Sequence, residues 1–224
     1  MKLVYKDIPL ELQLSENKIS ILTIESADYL SDFVQNLVAE SQGQTGNISL
    51  IDGINECSFT SMMDIIWNPF TISLTDKKTI TALYKTIATI ADDALSEDYY
   101  NYVQVTNTFL DKIEEVIPYG ITADHQMSFE SLLKLTNVRF SEPDDMDYTE
   151  RLIHYMKIKR DFCKTEVFFF FELRKFLTEE RLLEFYKNCV YEKLIIIILE
   201  GSYTGKNEYE NVWIIDKDKC ILEL

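Results

Sequence analysis

The sequence predicts an α/β fold in which a mainly parallel sheet is interrupted by a helical insertion, and three observations carry that prediction. Two unbroken apolar runs in the last third, VFFFF at 167–171 and LIIIIL at 194–199, flank a helical pattern. Runs of this kind suit strands covered on both faces and joined by a parallel crossover. Strand-like segments also open the chain, so both ends contribute to one sheet. Between them, residues 76–117 place apolar side chains at helical spacing.

In chain order, Ile8, Leu10, Leu12 and Leu14 alternate, 15–18 is turn-like and 19–24 is a second apolar block; together these predict a short antiparallel pair. Ser26 offers an N-cap, and Leu30, Phe33, Val34, Leu37 and Val38 share one helical face that Gly43 stops. Ile80, Leu83, Tyr84, Ile87, Ile90, Ala91, Ala94 and Leu95 form the next stripe. It resumes through Tyr102, Val105, Phe109, Ile113 and Val116 until Pro118 and Gly120 end it. With a shorter helix at 128–136 this makes a helical hairpin of roughly sixty residues, and 138–140 reads as a short returning strand. A helix at 145–162, the strand 167–171, a helix near 178–189 and the strand 194–199 follow. Residues 212–215 and 221–224 close the chain as a hairpin around D-K-D-K. The expected division is 1–74 and 141–224 for a head domain and 75–140 for the helical insertion.

With 38 acidic against 22 basic residues the formal net charge is −16. That argues against nucleic-acid contact over a broad surface, so any such contact needs a local basic patch. Cys57, Cys163, Cys189 and Cys220 lie far apart without a C-x-x-C pair, so neither a zinc site nor a disulfide framework is written. Reduced thiols and a cytoplasmic location are expected. The opening MKLVYKDIPLELQL has no apolar signal core and no apolar run is long enough for a bilayer, so no membrane partner is expected.

The stretch LEGSYTGKNEYE runs a strand into two glycines and a lysine. A phosphate loop needs G-x-x-x-x-G-K-[ST], whose N–H groups surround phosphates while the hydroxyl holds magnesium. Here the spacer between Gly201 and Gly205 is one residue short, and Asn207 stands after Lys206 where the hydroxyl belongs. No nucleotide is expected. The junction T-I-E-S-A-D after 19–24 lacks glycine and carries two carboxylates, which repel phosphate. Glu172 and Glu200 follow apolar strands, as a magnesium-steadying acid does in ATPases; without a phosphate loop, acids facing water are the simpler reading.

His125, in a loop, and His154, on a helix, are the only histidines and are expected at the polar surface. No G-x-S-x-G, H-E-x-x-H or cysteine–histidine pattern supports hydrolysis, so no catalytic residue is assigned. HYMKIKRDFCK gathers Lys157, Lys159, Arg160 and Lys164, and 157, 160 and 164 share a helical face able to line a duplex backbone. No aromatic stacking platform is interleaved there in the manner of a single-strand binder, which favours sequence-blind duplex contact. A solvated helix face is the other reading. Asp111, Glu114 and Glu115, with Asp124 after them and Glu130 in the next helix, offer oxygen donors for calcium without EF-hand spacing.

The order of these pieces resembles a family. ISILTIESADYLSDFVQNLV, SFESLLKLTNVRF, KTEVFFFFELRKFLTEERLLEFYKNCVYEKLIIIILEG and the closing VWIIDKDKCIL are similar to segments of the CRISPR-associated protein Csn-two family of type II-A systems, over nearly the whole chain. The resemblance implies a degenerate P-loop-ATPase-like head with helical legs, assembled as a homotetrameric ring. It also implies binding of linear double-stranded DNA ends and of calcium, and service to spacer acquisition beside the integrase pair and the effector nuclease. An acidic exterior around a channel lined locally by lysines would reconcile DNA with the net charge. Two segments depart from the family pattern: DKIEEVIPYGITADHQ is thinner in acids, and K-T-E-V-F keeps Lys164 alone of a basic run. A protein scaffold without DNA and a nucleotide-binding NTPase-like protein are the alternatives.

Overall fold

The structure, a computed structural model, describes residues 1–122, 127–141 and 145–224. The chain divides into two compact units, one of Met1–Ser73 with Glu142–Leu224 and one of Leu74–Ser141.

The first unit opens with β1 (Lys2–Tyr5) and β2 (Leu10–Gln13), whose alternating side chains bury one face. β3 (Ile19–Ile24) follows with all six residues buried. α1 (Ala27–Ser41) starts at Ser26, whose hydroxyl makes no capping bond, and turns Phe33 and Leu37 into the core. Its end is a Schellman turn: Gly43 sits at φ 73°, and the N–H groups of Gly43 and Gln44 donate to the carbonyls of Glu40 and Ala39. β4 (Ile48–Asp52) and β5 (Asn55–Cys57) form a hairpin with Gly53 at φ 60°; α2 (Phe59–Met62) and β6 (Met63–Ile66) follow.

In the second unit, α3 (Lys77–Ala94) is capped by the Asp76 side chain and buries Leu83, Tyr84 and Ala91. The sequence pattern continues into α4 (Ser96–Val116), but Leu95, at φ −127° and ψ 19°, breaks the helix between them. Among the described residues, α4 has no buried side chain. α5 (Phe129–Leu135) buries Leu133, and Phe129 meets Tyr99 of α4 edge-on at 5.0 Å. The strand expected at 138–140 is absent among the described residues. The N–H groups of Asn137 and Val138 donate to Lys134 and Leu133 and cap α5, so this backbone ends a helix and does not pair with a sheet.

The first unit resumes with α6 (Tyr148–Cys163), β7 (Val167–Phe171) and a short 3-10 turn (Leu173–Phe176). α7 (Glu179–Tyr191), β8 (Ile195–Glu200), β9 (Glu210–Ile215) and β10 (Ile221–Glu223) complete it. The six-stranded sheet runs β10-β9-β3-β8-β7-β6, parallel except for the antiparallel edge strand β10. The fold is thus a mixed α/β architecture with a largely parallel sheet. The second sheet, β2-β1-β4-β5, is antiparallel throughout.

The antiparallel pair expected between 8–14 and 19–24 is therefore a pairing of β2 with β1. β3 is apolar on both faces and needs cover on both, which the central position between β8 and β9 supplies. α1 packs on β3 and β4, and Phe33 connects the sheets: its ring meets Tyr5 edge-on at 5.2 Å and stacks with Phe169 at 6.3 Å. The opposite face of the parallel sheet takes the buried sides of α6 and α7, with Phe170 and Phe185 edge-on at 6.1 Å. No helix among the described residues is long and apolar enough to cross a membrane.

Truncating a fully buried phenylalanine that touches both sheets removes its transfer free energy and leaves a cavity. Phe33→Ala is expected to cost about 3–5 kcal/mol of stability, read as a lower denaturant midpoint with unchanged slope.

Candidate functional site

Because β3, β7 and β8 run parallel, their carboxyl ends lie at one edge of the sheet, where α/β folds place ligands. Glu200 ends β8 and is buried, 3 % exposed, with its carboxylate accepting from the Arg174 backbone N–H at 3.4 Å. It does not face water as a simple strand-end acid would. Burial raises its acid to about 7, opposed by the hydrogen bond and charge of Arg174. Thr23, its register partner on β3, buries a hydroxyl that has no hydrogen-bond partner among the described residues. Glu172, just past β7, takes a left-handed backbone at φ 50° and pairs with Lys175.

A second buried carboxylate organises the loop that follows. Glu210, at the start of β9, is fully buried and accepts from the Tyr186 hydroxyl at 3.0 Å and the Asn207 N–H at 2.9 Å. The Arg174 guanidinium approaches Glu210 at 3.8 Å and donates to the Gly205 carbonyl at 3.3 Å. Burial and the adjacent Glu210 push the Tyr186 phenol well up. Of the residues read as an imperfect phosphate cradle, Asn207 gives its N–H to Glu210 and Lys206 donates to the Leu224 carbonyl. A carboxylate of the chain itself occupies that donor. The cleft of about 440 Å³ above this network is lined by Arg174, Lys175, Glu200, Ser202, Thr204 and Lys206.

The predicted basic residues fall on α6, which begins with a reciprocal capping box of Asp147 and Glu150. Two of them meet the end of α7: Lys157 pairs with Glu192 at 2.8 Å, and Arg160 donates to the Glu192 carbonyl at 2.6 Å and to Asp161 at 2.9 Å. Cations suit a helix C-terminus. Lys159 is buried with its ammonium 5.3 Å from the Tyr155 ring centre. Lys164, at the left-handed C-cap of α6, is exposed. The structure thus brings together Lys157 and Arg160, and places Lys159 and Lys164 elsewhere.

His154 is half-buried, not on the surface as expected, because Tyr155 and Met156 beside it draw this part of α6 into the core. Its Nε2 has no partner among the described residues and borders a cleft of about 590 Å³ with Asp145, Glu150, Lys157 and Glu192. His125 and Asp124 lie outside the described residues. Asp111 and Glu115 are exposed and Glu114 is half-buried on the last turns of α4, while Glu130 pairs with Lys134. Among the described residues, no three His, Cys, Asp or Glu side chains gather as a metal-binding group.

An aromatic surface was invisible to the sequence reading. Phe70 after β6, Phe176 after β7 and Tyr148 at the start of α6 come together from separated segments, and Trp67 lies against Phe171 at the end of β7. Only the β6–β7 pairing, which sets Ile66 beside Phe170, brings the following loops side by side.

A family model described as CRISPR-associated protein (Cas_Csn2) matches residues 44–219. No curated protein matches the chain. Among solved structures, a putative ABC transporter (ATP-binding protein) from Pyrococcus furiosus is similar, with a TM-score of 0.41 and 11 % identity over 95 % of this chain and 97 % of that one. A likeness that loose carries no functional weight.

The Glu200 acid, at about 7 in the fold against 4.5 for a free side chain, holds its proton more tightly folded than unfolded. Its contribution to stability is complete below pH 4.5 and is lost as pH rises through 7. Glu200→Gln, which fixes the neutral form, is expected to flatten the fall in melting temperature between pH 5 and pH 8; equal falls in both proteins would refute the assignment.

Proposed function

The chain belongs to the CRISPR-associated Csn2 family, and from that premise we propose that it binds ends of linear double-stranded DNA as a homotetrameric ring during spacer acquisition in type II-A CRISPR immunity. The family match is the observation that carries this reading. It fits a general role in CRISPR adaptation, in the cytoplasm and beside the integrase pair and the effector nuclease. The protein acts by binding and not by catalysis, in the manner of its family.

For DNA contact we propose Lys157, Lys159, Arg160 and Lys164. Lys164 is the exposed cation of the four and contacts a phosphate directly. Lys157 and Arg160 exchange Glu192 for phosphate, and Lys159 acts only if α6 shifts. Each phosphate neutralised releases counterions, so affinity falls with salt and is indifferent to base sequence. Self-association is supported by α4, where Tyr102, Val105, Phe109 and Val116 expose one apolar stripe that a second copy would cover.

Calcium is a separate proposal, at Asp111, Glu114, Glu115 and Asp124. The described carboxylates alone do not supply the six to eight oxygens calcium takes. The remaining donors would come from Asp124, from water or from a second copy, and no step of DNA binding is routed through the ion.

In a mobility-shift comparison of linear and closed-circular duplex of one sequence, with calcium and with chelator, only the linear form is expected to shift. No shift of either form at low salt would remove the DNA reading. Lys164→Glu is expected to weaken binding uniformly across sequences and to lower the salt slope by about 1. Replacing Val105 and Phe109 together by Asp is expected to reduce the mass measured by light scattering while circular dichroism of the first unit's sheet persists; an unchanged mass would exclude the α4 stripe as the contact.

A further inference from the structure

The loop after β8 is exposed at Ser202, Tyr203 and Thr204. Among the described residues one hydrogen bond fastens the stretch 202–205: the Arg174 guanidinium donates to the Gly205 carbonyl at 3.3 Å. Gly205, at φ 108°, holds a backbone that a side chain would resist, so the turn presenting this carbonyl depends on glycine. The loop forms one wall of the cleft of about 440 Å³ that Arg174 and Glu200 also line. Whatever moves Arg174 therefore frees the loop.

Arg174 stands between two buried carboxylates. Its backbone N–H donates to Glu200 at 3.4 Å, and its guanidinium approaches Glu210 at 3.8 Å. Both guanidinium contacts are long for their kind, and Glu210 has closer partners in the Tyr186 hydroxyl and the Asn207 N–H. Thr23, the register partner of Glu200 on the same face of the sheet, buries a hydroxyl that has no hydrogen-bond partner among the described residues. A negative charge on Glu200 thus has two donors at hand. The other charged or titratable groups around it are Glu172 and Lys175 after β7, Glu179 and Tyr186 on α7, Lys206 in the loop and Glu210 on β9. Lys175 holds Glu172 and Lys206 holds the Leu224 carbonyl, which leaves Arg174 to answer a charge on Glu200.

We infer that residues 202–205 are a strap over the cleft, latched while Glu200 carries its proton and released when that proton passes to water. A hydrogen bond to a charged acceptor is roughly twice as strong as one to a neutral carbonyl. Once Glu200 is ionised, Arg174 turns to it from the Gly205 carbonyl, Thr23 donates to it as well, and the strap loses its fastening. Burial, opposed by Arg174, raises the Glu200 acid to about 7, so the release falls in the neutral range. The strap is latched in mild acid and open in mild alkali. This device is a property of the first unit and does not depend on the DNA reading.

Chymotrypsin cleavage after Tyr203, which is 41 % exposed, reads the release. A synthetic peptide of residues 200–207 gives the reference rate at each pH and removes the protease's own pH response. The rate in the protein divided by that in the peptide is expected to rise about ten-fold between pH 6 and pH 8, with the first cut after Tyr203 and circular dichroism unchanged. Glu200→Gln, which keeps the acceptor neutral, is expected to hold the ratio at its pH 6 value. A flat ratio in the parent protein overturns the inference, whether or not the variant folds. So does a rise accompanied from the outset by cuts within β7 or β8, which would mark loosening of the whole sheet, or an equal rise in the folded variant.

Discussion

The ring of Phe33 lies between Tyr5 of the antiparallel sheet and Phe169 of the parallel one, and the first unit is organised around that contact. Among the described residues the strands of the antiparallel sheet do not pair with those of the parallel one; what joins the two is apolar surface on and around α1. Leu3, Leu12 and Leu50 from one side, and Leu22, Ile197 and Leu199 from the other, close on Phe33 and Leu37 as one core. Burial at about 25 cal/mol per Å² makes such a layer the dominant favourable contribution to the unit. The register of β3 follows from it. With β3 fixed, β8 and β9 pair on either side and carry Glu200 and Glu210 to their places.

Those two carboxylates show how the strand-end geometry of an α/β sheet can be filled from within. Buried acids persist when they are neutral or hydrogen-bonded. Burial raises the Glu200 acid to about 7 and the Arg174 N–H bonds it, while Glu210 is held by Tyr186, Asn207 and Arg174 around it. Arg174 serves both by its backbone and its guanidinium, so the loop after β7 and the loop after β8 are fastened to each other.

Much of the parallel sheet was legible because its physics is local. Runs such as VFFFF and IIIILE announce strands buried on two faces, and the helix between them implies the crossover. α1 was legible from the spacing of Phe33 and Leu37. β4, β5 and β6 were not: they are three to five residues long, mix Ser, Asn, Asp and Glu with apolar residues, and take their conformation from β1 and β7 alongside. Of the candidate site, the acids at the strand ends were visible, but not their burial, since nothing local tells that Glu210 lies beneath Tyr186. The basic face of α6 was read from helical spacing; that Glu192 meets Lys157 and Arg160 depends on the packing of α7. The aromatic surface draws on segments tens of residues apart, and no local pattern could reveal it.

The break at Leu95 sends α4 away as a helix without a buried side chain among the described residues. Helices in water gain most of their stability from packing an apolar face, and α4 packs one half-buried side, with Tyr99 against Phe129, while its opposite stripe stays open. A molecule that covered the open stripe would add to the stability of the second unit by mass action. Dilution of such a molecule would then lower the stability of the unit without altering any contact inside it.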